Sequence, residues 1–86
     1  MLPHSRQEAY VVAMMVRDRR YIDRLSLILG EVERLMDRSV PEQVTDAARL
    51  RAAITLLEAD QRAEATALIK ELSPWAGGIS VEYGQL

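Results

Sequence analysis

The chain has 86 residues, 49% of them hydrophobic and 28% charged, with a formal net charge of −2 and no cysteine. That composition belongs to a globular protein of one domain, and it excludes disulfides and thiolate metal sites. A charge of −2 supplies no global basic field for nucleic acid, and the longest apolar run, residues 9–16, is far short of the about 20 residues that span a bilayer.

A domain of this size has a thin core unless a disulfide, a metal or another chain supports it. With no Cys and one histidine, His4, neither a metal nor a cofactor is expected, and association with another chain is the support left. The expected compartment is the cytoplasm.

Ser5 and Glu8 have the spacing of a capping box and predict a helix start just after Pro3. Val11, Met15, Ile22, Leu25, Leu29, Val32 and Met36 then fall on alternating steps of four and three, with Asp18 as the polar member of the series. This spacing keeps one stripe facing a partner helix. It predicts a first helix from about residue 5 to about residue 37, roughly 50 Å long. The charged segment 17–20 could divide it into two, but the seam keeps phase across it and argues for continuity. Residues 9–16 are apolar all round, and Leu25, Leu27, Ile28 and Leu29 repeat the excess. An ordinary surface helix carries three or four apolar positions in seven. The surplus predicts an interface on Val11, Met15, Ile22, Leu25, Leu29 and Val32.

Arg17, Arg20 and Arg24 share one face of the same helix and are the candidate nucleic-acid contacts. The interleaved Asp18 and Asp23 favour a solvated face with local ion pairs. The candidate helix-turn-helix region, residues 44–57, contains no glycine, so a compact turn of that motif is not expected.

Ser39, Pro41 and Glu42 predict the start of a second helix. Its inner face is expected on Val44, Ala47, Ala48, Leu50, Ala53, Ile54 and Leu57. Residues 59–61 read as a turn, with Asp60 capping a third helix from Arg62 to about Leu72, or as a point the helix passes straight through. Ala63, Ala67, Leu68 and Leu72 would then face inward. Ser73-Pro74 ends this segment, because the residue before a proline is pushed out of the helical region. The carboxylates, among them Glu31, Glu33, Asp37, Asp46, Asp60 and Glu71, are expected on outer faces.

Trp75 follows, a candidate anchor in a partner's pocket or a cover over the helix ends. Gly77-Gly78 reads as a joint. Beyond it Ile79, Val81 and Tyr83 alternate with polar residues as a strand does. These elements amount to an all-α fold: a long antiparallel helical hairpin or three-helix bundle over residues 1–76, with an extended C-terminal tail over 77–86, expected to be dimeric. The expected function is a non-enzymatic protein–protein interaction module, an adaptor, regulator or inhibitor that self-associates through its first helix. The alternative is a dimeric nucleic-acid-associated regulator using the face of Arg17, Arg20 and Arg24. No membrane or small-molecule substrate is expected.

Overall fold

The computed structural model describes the backbone of residues 2–83 and the side chains of residues 19–80. The fold is all-α, and the described residues form four helices: α1 (Leu2–Leu35), α2 (Pro41–Glu58), α3 (Arg62–Lys70) and α4 (Pro74–Tyr83). Helix α1 is unbroken through residues 17–20 and through Gly30. At 1.5 Å per residue it is about 51 Å long, and it accounts for most of the molecule's 58 Å longest dimension. It starts at Leu2, ahead of the Ser5–Glu8 capping box, which therefore lies inside the helix.

The turn after α1 is built by Asp37. Its carboxylate accepts the Ser39 backbone N–H at 2.9 Å and the Ser39 hydroxyl at 2.6 Å. The Asp37 backbone N–H donates to the Gln43 side-chain oxygen at 2.6 Å, which ties the turn to α2. Ser39 is thus engaged by Asp37 and does not cap α2. The N-cap is Val40, held extended at φ −101° and ψ 104° by the proline that follows it. Pro41 occupies the first helical position, where its missing N–H leaves no hydrogen bond unmade, and the capping box expected at Ser39 falls one residue too early.

Helix α2 ends in a Schellman motif. The Gln61 N–H donates to the Leu56 carbonyl at 2.8 Å and the Asp60 N–H to the Leu57 carbonyl at 3.0 Å. Asp60 sits at φ 60°, the left-handed position this motif requires. It therefore closes α2 and does not cap α3, whose N-cap is Gln61 with no side-chain cap bond. Helix α3 stops at Lys70, two residues earlier than expected.

Among the described residues ten apolar ones are buried: Ile22, Leu25, Ile28 and Val32 on α1; Ala47, Leu50 and Ala53 on α2; Ala65 on α3; Ala76 and Ile79 on α4. Tyr21, Leu29, Met36, Ile54, Leu57, Ile69, Leu72 and Trp75 pack around them, half-buried. Among the described residues α1 supplies four of the six large buried apolar side chains, α2 and α4 add Leu50 and Ile79, and the four buried alanines lie on α2, α3 and α4. Full burial of a Leu or Ile stabilises by about 1.5–3 kcal/mol, so among the described residues the segment from Ile22 to Val32 makes the largest apolar contribution. Val44, Ala48, Ala63 and Ala67, expected to face inward, are exposed. The buried arc of α2 is rotated toward Asp46 and Leu50, and that of α3 toward Ala65.

The segment from residue 77 to Tyr83, expected to be extended, belongs to α4. Among the described residues there is no strand. A lone strand here would leave its backbone groups unpaired, whereas a helix satisfies them internally. The Gly77 N–H donates to the Ser73 carbonyl at 2.9 Å and starts the ladder. Ala76, Ile79 and Ser80 make the buried face, a helical spacing that the 79-81-83 alternation hides.

Candidate interaction surface

The long α1 seam divides into two parts. Ile22, Leu25 and Val32 are buried in the chain's own core, and Leu29 lies half-buried at its edge. Over this stretch the partner of the seam is intramolecular, chiefly α2 and α4, so these residues are not offered to another chain. Ile28, outside the four-three series, is fully buried among them; its signal was the apolar excess at residues 27–29. The side chains of Val11, Met15 and Arg17 lie outside the described residues. Trp75 is half-buried against the same core cluster, which makes it a cover over the helices.

The opposite side of α1 carries mixed charge. Arg19 Nε lies 3.4 Å from Asp23 Oδ1, both well exposed. Arg20 and Arg24 are exposed beside them. Farther along, Arg34 Nη2 pairs with Glu31 Oε2 at 2.6 Å. Leu27 stands among these charges 66% exposed. One turn of ion pairs on a solvated helix face contributes little to stability, and the alternation of sign weakens the field that Arg20 and Arg24 would present to a phosphate backbone.

A second assembly was not expected from the sequence. Asp46, placed on an outer face by its charge, is fully buried on α2. Its Oδ1 accepts the Ser73 backbone N–H at 3.1 Å, and its Oδ2 accepts the Ser73 hydroxyl. Arg49 Nη1, one turn along α2, lies 3.6 Å from Asp46 Oδ1 and donates to the Glu71 carbonyl at 3.1 Å. Arg49 Nε also lies 3.7 Å from the Glu71 carboxylate. The cation thus sits at the carbonyl end of α3, where the helix dipole favours it. Ser73 in turn is the residue before Pro74, so Asp46 holds the start of α4 from a position 27 residues away in sequence. Among the described residues no buried side-chain nitrogen or oxygen lacks a hydrogen-bond partner. The one available signal was Ser73 itself, a residue favoured at helix starts, standing directly before a proline.

Among the described residues two ionisable groups are perturbed. The hydroxyl and backbone N–H of Ser39 hold the Asp37 carboxyl below its ordinary range. Burial against the core raises the Tyr21 phenol above its usual value. Among the described residues no group of three or more His, Cys, Asp or Glu is placed to hold a metal ion, and no helix is long and apolar enough to cross a membrane. Comparison with protein-family models, curated proteins and solved structures found no match.

Proposed function

We propose that this protein is a small non-enzymatic interaction module, an adaptor, regulator or inhibitor, that self-associates as a dimer through the N-terminal half of α1. The single observation that carries the reading is the length and continuity of α1. Its 34 residues form one helix, nearly twice the 18 of α2, and among its residues with described side chains, from Arg19 on, the buried ones lie between Ile22 and Val32. The apolar run of residues 9–16 stands on the same unbroken helix and ends six residues before Ile22. A second copy laid along that run would continue the stripe that α2 meets lower down. The rest of the chain is then a helical hairpin closed by α3 and α4, which supports the N-terminal half of α1.

The test is solution mass by size exclusion with light scattering over a range of concentration. The expected result is a dimer that Val11→Asp converts to a folded monomer. Leu25→Asp, which strikes the internal core, should instead reduce helicity. A wild-type monomer at every concentration, or a Val11→Asp variant of unchanged mass, would remove the proposal.

A further inference from the structure

We propose that α4 is a strap that opens on its own while α1, α2 and α3 stay folded, and that the Asp46–Ser73 contact is the clasp that keeps it shut. Helix α4 is poorly suited to stand alone. It has ten residues, below the length at which isolated helices hold together in water. Two of them are consecutive glycines near its middle. Neither adopts a positive φ, and a Cβ built on either meets nothing within 4 Å. No turn or close approach therefore calls for glycine there, and each lowers the helix equilibrium about fourfold to fivefold relative to alanine. Ile79 and Val81 are β-branched and stiff against the preceding turn.

What holds α4 is docking. Ala76, Ile79 and Ser80 are buried and Trp75 is half-buried against the core cluster. The remaining hold is polar and sits at one end. Ser73 gives both its N–H and its hydroxyl to the enclosed Asp46 carboxylate, and Arg49 braces the same carboxylate and the Glu71 carbonyl. Beyond Ser73 stands Pro74, whose ring and missing N–H break the helical ladder, so α4 is a separate element and not a continuation of α3. Helix α3 has its own hold, since its packing partner is α2 and its one buried residue is Ala65, well before the clasp. Parting Ser73 from Asp46 therefore frees α4 and leaves the α1–α2–α3 packing in place. Opening uncovers the side of the Leu25, Ile28 and Leu50 cluster that Ile79 closes. The strap thus controls how much of that apolar surface meets solvent.

Trp75 is the chain's one tryptophan, so its fluorescence reports the strap while far-UV circular dichroism reports mainly α1, α2 and α3. Coincidence of two such probes is the test of a single cooperative transition. The experiment is urea unfolding of the full chain followed by both probes, in the wild type, in Ser73→Ala and in the double variant Gly77→Ala/Gly78→Ala. In Ser73→Ala the Trp75 transition is expected at clearly lower urea than the helical one. The helical midpoint should stay at its wild-type value, and the variant should bind 8-anilinonaphthalene-1-sulfonate without denaturant. In the double alanine variant the two transitions should merge. If both probes move together in both variants, α4 is an inseparable part of the core and the proposal is overturned. Hydrogen exchange of the α4 amides gives the same decision if Ser73→Ala expresses poorly. Exchange through global unfolding alone in the wild type, at the rate of the α2 amides, overturns the proposal. Faster, denaturant-independent exchange confined to α4 upholds it.

Discussion

The two joints on either side of α3 are built in different ways. The α2–α3 joint is closed by its own backbone. Two hydrogen bonds of a Schellman motif and one left-handed residue, Asp60, turn the chain within three residues. The α3–α4 joint is closed from outside. Its key acceptor, Asp46, belongs to α2 and lies 27 positions back. A joint of the first kind can form as soon as its own segment is helical. One of the second kind forms only after α2 and α3 have docked, because its acceptor must first be brought to it. Local closure thus makes a turn robust, and remote closure makes the following element conditional on the rest.

The largest expected effect is shared by both joints. Leu50→Ala removes a fully buried side chain at the centre of the cluster and should destabilise by about 2–5 kcal/mol, read as a lower urea midpoint with the helices otherwise intact at zero denaturant. Asp46→Ala separates the joints. Loss of a buried charged acceptor that serves two donors should destabilise by about 1.5–3 kcal/mol, and the amides of α4 should lose more protection than those of α3. Equal losses on both sides would mean that the two joints are coupled. Asp60→Gly acts on the other joint and with the opposite sign. Glycine reaches the left-handed region without strain, so a gain of about 0.5–1 kcal/mol is expected, with α4 protection rising only as far as global stability does. Gly30→Ala, exposed and with open space at its Cβ, should add about 0.5–1 kcal/mol through helix propensity alone and shift neither joint relative to the other.

The smallest effect concerns the α1–α2 turn, a third joint of local construction. Asp37 titrates below its ordinary range because the folded turn stabilises its charged form. Its contribution is therefore complete above the ordinary aspartate range and fades as the pH falls through the lowered value. Ser39→Ala should raise the Asp37 midpoint toward that of an unstructured aspartate in a carboxyl NMR titration. An unchanged midpoint would show that the Ser39 contacts are not formed in solution.

The all-α class and the unbroken α1 were legible in the sequence because both rest on a long signal. The four-three spacing repeats over 25 residues between Val11 and Met36, and no proline interrupts it. Short elements gave weaker signals. In α3 the inward positions had to be chosen among alanines, whose hydropathy barely distinguishes one face from another, and Ala65 replaced Ala63 and Ala67. In α4 the residues Ile79, Val81 and Tyr83 fit a period of two, while Ala76, Ile79 and Ser80 fit 3.6 equally well. A run this short does not discriminate between them. Asp46 was unreadable for another reason. A carboxylate on a helix usually faces water, and what reverses that here is a serine and an arginine that only the folded chain brings beside it.

The distribution of side-chain size in the core has a consequence for mutational tolerance. Ala47, Ala53, Ala65 and Ala76 are all enclosed, with exposures of 2% or less, and a larger side chain at any of them has no solvent to grow into. Enlarging any of them pushes two helices apart, while exchanging Leu25, Ile28 or Val32 for another aliphatic of similar volume needs only local repacking. A saturation library should therefore be asymmetric. Leu25, Ile28 and Val32 of α1 should accept many hydrophobic letters, and the four enclosed alanine positions of the other helices should accept almost none beyond alanine, glycine and serine.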